Sequence, residues 1–241
     1  MSGDDVSEDE LRVAIITGGS QGIGAGLVRG YRERGWAVVT SARKIEPAAD
    51  PDLVTVAGDI TDPATAHRII DAALEHFGYV DTLINNAGVY LSKPFTDYTA
   101  ADYALVTGVN LAGFFWLTQL AIAEMVRRGR GHVVNISATI AERPESGTPA
   151  VLTALTKAGL AAAARSLAIE YAARGIRVNA VAPGVIETPL QAGHPPMASD
   201  FPPLGQLGQV SDIVDAILFL ESAHHITGEV LHVDGGQNAG R

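Results

Sequence analysis

The sequence has no cysteine, only three lysines and no cluster of basic residues. Without cysteine, the chain cannot form disulfides, use a thiolate nucleophile or bind a metal through sulfur. Its formal net charge is −10 at pH 7, and an acidic chain repels phosphate backbones, so we expect no nucleic-acid partner. The seven histidines are scattered, and no two of them have the i, i+4 spacing of a helical metal-ligand pair. We therefore predict no metal site.

No apolar run approaches membrane-spanning length, and the N-terminus has no basic segment followed by an apolar one. These absences predict neither a membrane anchor nor a signal peptide, and they favour a cytoplasmic protein. The 241 residues are 47% hydrophobic, which is sufficient for one buried core. The opening segment is rich in carboxylates, so we predict an acidic disordered tail over residues 1–10 and a single domain over residues 11–241.

Short β-branched runs alternate with longer segments of helical period. Alternation of this kind implies right-handed crossovers, and we predict an α/β fold with a Rossmann-type, doubly wound parallel sheet of about seven strands. The predicted strands are Val13 to Thr17, Ala37 to Ser41, Leu53 to Val56, Val80 to Asn85, His132 to Ser137, Ile176 to Val181 and Glu229 to Val233. The predicted helices are Gly22 to Arg34, Pro63 to Phe77, Ala100 to Arg128, Ala150 to Ala173 and Ser211 to Leu220.

A glycine-rich turn stands between the first predicted strand and the first predicted helix. It has the sequence Thr17-Gly18-Gly19-Ser20-Gln21-Gly22-Ile23-Gly24. Glycines let the backbone turn tightly and approach a pyrophosphate, and a helix N-terminus offers unpaired N–H groups and the positive end of a dipole. Since it follows a strand and opens a helix, the turn predicts a dinucleotide site.

At this turn the chain resembles the short-chain dehydrogenase/reductase family, whose fingerprint here is T-G-x-x-x-G-x-G. The resemblance spans about residues 11–237. Further landmarks follow in order: Gly58-Asp59-Ile60, Asn85-Asn86-Ala87-Gly88, Asn110, Pro183-Gly184, Thr188 and Val233-Asp234-Gly235-Gly236. The resemblance implies a nicotinamide dinucleotide bound by Gly18, Ser20, Gln21, Gly22, Ile23, Gly24, Asp59, Ile60, Asn86, Ala87, Gly88, Lys157, Pro183, Gly184, Ile186 and Thr188.

The end of the second strand bears on the choice of nucleotide. Folds that prefer NAD place a carboxylate there to bind the ribose hydroxyls, whereas a 2′-phosphate is repelled by that charge and binds arginine. Here the strand ends Thr40-Ser41-Ala42-Arg43-Lys44, with no carboxylate and two cations. We therefore predict NADP(H) as the cofactor, bound in part by Arg43.

The family's catalytic residues are only partly present. In the family a tyrosine donates a proton to the carbonyl, a lysine four residues later lowers the tyrosine's pKa, a serine orients the substrate and an asparagine organises a water relay. Asn110 and Lys157 match, but Thr153 stands at the tyrosine position, and no tyrosine occurs between residues 104 and 170. Where the serine is expected the chain has Ser137-Ala138-Thr139. The expected catalytic set is Asn110, Ser137, Thr153 and Lys157.

Other residues are candidates for the missing proton donor, because sites in open α/β sheets lie beyond the carboxyl ends of the strands. They are Tyr90, Glu142, Arg143 and His194. The proline-rich segment 191–208 is predicted to be a loop of the length that often forms a lid. Its residues Gln191, His194, Met197 and Phe201 indicate a cavity of mixed polarity.

The resemblance implies an NADP(H)-dependent oxidoreductase acting on a carbonyl or alcohol of a small molecule. Two alternatives remain open: reduction of an activated C=C or C=N bond, which water could protonate, and a nucleotide-binding protein without redox activity. Family members usually assemble through the long helix and the lysine-bearing helix. The resemblance therefore also implies a homodimer or homotetramer.

Overall fold

The computed structural model describes residues 10–145, 147–189 and 202–240. Seven parallel strands form one sheet in the order β3-β2-β1-β4-β5-β6-β7, which confirms the predicted doubly wound architecture. The strands are β1 (Val13–Thr17), β2 (Ala37–Ala42), β3 (Leu53–Ala57), β4 (Thr82–Asn85), β5 (Gly131–Ile136), β6 (Ile176–Pro183) and β7 (Val230–Val233). The chain order reverses between β1 and β4, the point at which such sheets bind ligands.

Helices cover both faces of the sheet, as expected for parallel strands that are apolar on both sides. They are α1 (Gly22–Arg32), α2 (Pro63–Phe77), α3 (Ala100–Thr107), α4 (Gly113–Arg128), α5 (Val151–Tyr171) and α6 (Val210–Ser222). Leu27 and Ile213 belong to the core on the side of α1 and α6, and Ile69, Leu117 and Ala164 belong to the core on the side of α2, α4 and α5. Burial of each leucine or isoleucine side chain among them contributes roughly 1.5–3 kcal/mol to stability.

The single long helix predicted over Ala100 to Arg128 is wrong in detail. A π-helical turn, Gly108–Ala112, separates α3 from α4. Apolar periodicity does not reveal the turn, because the residues on both sides keep one apolar face. One 18-residue window within residues 100–128 has a mean hydropathy of 1.5, so this segment is long and apolar enough to span a membrane by length and composition, which the sequence analysis did not expect of any run. The segment packs against the core through Leu117, Ala121 and Met125.

A buried polar cluster lies at the amino-terminal edge of the sheet. Glu221, near the end of α6, accepts hydrogen bonds from Tyr31 (2.9 Å), Thr82 (3.0 Å) and His132 Nδ1 (3.1 Å). Asn179 Nδ2 lies 3.1 Å from the other nitrogen of His132 and donates to it. Burial alone would raise the pKa of Glu221, but His132, Tyr31 and Thr82 outweigh burial and lower it.

Ion pairs cover the same edge of the sheet. Glu10, the last residue of the predicted tail, contacts Arg128 at 2.6 Å and Arg130 at 2.7 Å. Arg130 also lies 3.2 Å from Asp81, whose other oxygen accepts from the amide of Val13 at 2.9 Å. Residues 1–9 lie outside the described residues, so the rest of the tail stays a prediction.

Candidate active site

A cavity of about 1050 Å³ opens at the carboxyl ends of β1, β2, β4, β5 and β6. Its lining includes every residue for which the sequence predicts cofactor contact, together with Ser137 and Thr153. Of the predicted set, only Asn110 does not line it. The topology brings these residues together, because the carboxyl ends of parallel strands meet at one edge of the sheet.

The glycine turn forms the floor of the cavity near α1. Gly18 has φ +73°, and its amide donates to Ser41 O at 2.7 Å. A Cβ at Gly24 would lie 2.1 Å from Gly18 O, so no other residue fits there. Gln21, at the start of α1, makes no side-chain cap bond. The first amides of α1 are therefore available to an anion, as a bound pyrophosphate requires.

Arg43 and Lys44 follow β2 and line one end of the cavity. The residues that follow β5 line the other end. Asp59, which follows β3, lines the same end as Arg43. The amide and hydroxyl of Thr61 lower the pKa of Asp59, and Arg43 adds to this effect. The end of β2 itself, at Ser41 and Ala42, offers no carboxylate to bind ribose hydroxyls. The local charge there is positive.

Asn110 lies in the π-helical turn, where it joins two chain segments. Its Oδ1 accepts from the amide of Val89 at 2.9 Å, and its Nδ2 donates to Val89 O at 3.1 Å and Thr156 Oγ1 at 3.0 Å. A π turn widens the helix and often occurs at functional sites. Here it directs the Asn110 side chain to the main chain after β4, behind the cavity wall.

Lys157 extends from α5 to the end of β5. Its Nζ donates to Ile136 O at 2.7 Å, and burial lowers its pKa to about 8. A Cβ at Gly88 would lie 3.1 Å from Nζ, so glycine leaves space for the ammonium group. The buried ammonium group of Lys157 therefore lines the cavity beside the end of β5.

The two hydroxyls near the expected serine position line the cavity and are hydrogen-bonded to other protein groups. Ser137 Oγ donates to Lys157 O at 2.9 Å and joins β5 to α5. Thr139 Oγ1 lies 3.0 Å from Asp234 Oδ2. Both side chains are largely buried. A role for Ser137 in orienting a substrate carbonyl stays a prediction.

The side chain of Thr153, which is predicted to stand at the tyrosine position, bonds to one distant residue. Its Oγ1 accepts from the amide of Leu91 at 3.1 Å and donates to the carbonyl of Leu91 at 3.3 Å. Tyr98 OH also donates to that carbonyl, at 3.1 Å. Thr153 thus lines the cavity while both hydrogen bonds of its hydroxyl are made to the main chain of Leu91.

Comparison with known proteins identifies the family. A family model described as "Enoyl-(Acyl carrier protein) reductase" matches residues 18–238. The chain is 37% identical over 242 residues to the granaticin polyketide synthase putative ketoacyl reductase 2 of Streptomyces violaceoruber, covering 94% of this chain and 96% of that protein. The chain belongs to the short-chain dehydrogenase/reductase family.

Solved structures of this family have the same fold. The 3-ketoacyl-(acyl-carrier-protein) reductase from Brucella melitensis, complexed with NADH, superposes with a TM-score of 0.88 at 31% identity and covers 94% of this chain and 98% of its own. ElxO with NADP bound superposes with a TM-score of 0.87 at 30% identity and covers 95% of this chain and 100% of its own. A tyrosine-to-phenylalanine variant of ElxO also has NADPH bound.

Of the other residues predicted as proton donors of this short-chain dehydrogenase/reductase, some line the cavity and some do not. Tyr90 and Arg143 line the cavity. Glu142 does not line it, and its Oε2 lies 3.3 Å from His232 Nε2. The predicted lid residues Gln191, His194, Met197 and Phe201 lie outside the described residues.

Several residues that line the cavity were not predicted from the sequence. Val89, Ser92, Ile140, Thr148 and Gln237 line the cavity, although none belongs to a family motif. Their position after β4, β5 and β7 was the available signal. Among the described residues, no three carboxylate or histidine side chains come together as a metal site would require.

Proposed function

We propose that this protein is an NADP(H)-dependent oxidoreductase that interconverts a carbonyl and an alcohol of a small molecule. One observation carries the proposal: a single cavity joins the glycine turn and Arg43 at one end to Lys157 at the other. Bound NADPH would supply a hydride to the substrate carbon. The free amides of α1 fit its pyrophosphate, Arg43 its 2′-phosphate and Lys157 its ribose.

The proton donor of this enzyme is not Thr153. An aliphatic hydroxyl has no accessible pKa, and this one already donates to Leu91. Tyr90 has a phenol and lines the cavity, so it is the candidate that the described residues support best. The matched test is Tyr90→Phe, which keeps the ring. A drop in turnover of about 10²- to 10⁴-fold with unchanged NADPH affinity is expected for loss of a general acid.

The bonding of Thr153 favours a second candidate function. A reductase of an activated C=C or C=N bond does not need a phenol beside the hydride acceptor, since water can protonate the product. The description of the matching family model also names reduction of enoyl groups. Cyclohexenone and cyclohexanone share one skeleton, so NADPH oxidation with each, followed by product identification, distinguishes C=C from C=O reduction.

The first experiment is a titration of the purified protein with NADPH and NADH, followed by nicotinamide fluorescence. We expect NADPH to bind at least about tenfold more tightly, because Arg43 binds a phosphate that NADH lacks. If neither nucleotide binds at millimolar concentration, the oxidoreductase proposal is wrong and a scaffold without cofactor is the better description. Equal affinities for the two nucleotides would be consistent with an oxidoreductase but would contradict the proposed preference for NADP(H).

Restoring the tyrosine separates an incomplete active site from a non-catalytic protein. Thr153→Tyr should raise ketone reduction above that of the wild type, and Thr153→Phe, which adds the ring without the hydroxyl, should not. Absence of any gain, with a ketone that demonstrably binds, would favour a nucleotide-binding protein without redox activity.

We also propose a cytoplasmic homodimer or homotetramer. Phe115 and Trp116 on α4 and Leu155 and Ile169 on α5 are exposed apolar side chains on the two helices through which the family usually assembles. Analytical ultracentrifugation tests this, and a monomer at micromolar concentration would contradict it.

A further inference from the structure

Arg143 lies at the end of the cavity where a substrate would bind. It follows β5, on the same side of the switch point as Thr153 and Lys157, whereas Arg43 follows β2 on the other side. A dinucleotide that extends from Arg43 to Lys157 therefore leaves the space beside Arg143 to another ligand.

The main chain at Arg143 is well anchored. The amides of Glu142 and Arg143 donate to Thr139 O at 3.0 and 2.9 Å. Thr139 is itself bonded to Asp234 through its hydroxyl. These hydrogen bonds fix the main chain from which the Arg143 side chain extends, so less conformational entropy is lost when that side chain binds a ligand.

The guanidinium of Arg143 has no counter-ion within the described part of the chain. The adjacent Glu142 contacts His232 at 3.3 Å. Glu145 also lines the cavity and is engaged in an interaction of its own. Arg143 is only partly exposed, and a partly buried cation without a partner is unfavourable. An anionic ligand would remove this cost.

We propose that Arg143 binds a carboxylate of the substrate and thereby makes the enzyme selective for carboxylate-bearing substrates. The guanidinium presents a planar pair of donors that matches a carboxylate and forms two parallel charge-assisted hydrogen bonds. This inference rests on the proposed function, because it assigns the substrate class of the same cavity. Glu145 opposes the binding of an anion, so Arg143 must lie closer to the bound carboxylate.

Matched acids and amides test the inference. Protein saturated with NADP⁺ is titrated by calorimetry at pH 7 with cyclohexanecarboxylate and its carboxamide, and with benzoate and benzamide. The carboxylate of at least one pair should bind about 10- to 100-fold more tightly than its amide, the range expected for a hydrogen-bonded charge pair. Arg143→Gln should remove this preference, and Arg143→Lys should retain part of it.

Arg29→Gln is the control, because Arg29 is exposed on α1 and does not line the cavity. It should leave both the carboxylate preference and the NADPH affinity unchanged. The inference is overturned if no carboxylate is preferred, if the preference survives Arg143→Gln, or if Arg143→Gln weakens NADPH binding. Failure of the wild type to bind NADPH would instead overturn the proposed function.

Discussion

The two ends of the parallel sheet use buried polar side chains differently. At the amino-terminal edge, Glu221 accepts hydrogen bonds from the side chains of Tyr31, Thr82 and His132, all of which are buried. At the carboxyl edge, polar side chains bind the main chain and surround a cavity of about 1050 Å³. Polar clusters of the first kind stabilise a fold, whereas the second arrangement keeps space for a ligand.

The comparison shows that residue type alone does not define a site. Asn110 and Thr153 are the residues predicted to occupy catalytic positions of the family, yet each bonds to the main-chain N–H and C=O of one residue, Val89 and Leu91 respectively. The side chains at the carboxyl edge whose charge faces the cavity include Arg43, Lys157 and Arg143. If the amino-terminal edge serves stability and the carboxyl edge serves binding, a substitution at one edge should change one of these properties and leave the other unchanged.

The largest effect is expected at the amino-terminal edge. Glu221→Ala leaves the buried donors of Tyr31, Thr82 and His132 without their acceptor, and we expect the free energy of unfolding to fall by about 3–5 kcal/mol. Urea denaturation measures this. Glu33→Ala, at an exposed carboxylate after α1, should change stability by less than about 0.5 kcal/mol. Weaker NADPH binding by the folded Glu221→Ala variant would show that the amino-terminal edge also affects binding, and would contradict this division of roles.

The next effect concerns the cofactor. Arg43→Gln should weaken NADPH binding by about 10- to 100-fold, because a phosphate loses a charge-assisted partner. NADH has no phosphate at that position, so its affinity should change less than about twofold. Fluorescence titration measures both affinities. An equal loss for the two nucleotides would show that Arg43 contributes to the fold or binds a part that they share.

A smaller effect depends on pH. Burial lowers the pKa of Lys157 to about 8, and a nucleotide bound beside it would favour the charged ammonium. NADPH affinity should therefore be constant below pH 7 and fall by up to about tenfold between pH 7 and pH 9. Titrations at several pH values test this, and Lys157→Met should give weaker binding without that dependence. A wild-type affinity that rises with pH would contradict the assignment.

The smallest effect is expected at Thr153. Thr153→Val keeps the shape of the side chain but leaves the Leu91 amide without its acceptor, and stability should fall by about 1 kcal/mol. NADPH affinity should be unchanged. Thermal unfolding and nucleotide titration of the same sample measure the two quantities, and a loss of binding without a loss of stability would give Thr153 a role in the cofactor site.

The sheet and the glycine turn could be predicted because their signals are local. Strands such as β1 are continuous apolar runs, and the turn needs glycine where φ is positive at Gly18 and where the main chain approaches closely at Gly24. The seventeen residues expected to contact the cofactor all line one cavity, since their motifs follow strand ends. Their binding roles remain predictions.

The hydrogen bonding inside the site could not be predicted from the sequence. Thr153 finds its partner 62 residues earlier in the chain, and Ser137 finds its partner 20 residues later. Such pairs depend on how loops and helices meet, which no local pattern encodes. The π-helical turn at Asn110 is a further case, because it alters the path of a segment that has an uninterrupted helical pattern.

The pair of bonds between Thr153 and Leu91 ties α5 to the chain segment after β4. A tyrosine places its oxygen at the far end of a ring, so it cannot make both bonds to the main chain of Leu91. A Thr153→Tyr variant would therefore gain a phenol and lose both contacts in the same step, and the main chain of Leu91 would need other partners. The conformation of the segment after β4 thus depends on the size of the side chain at position 153.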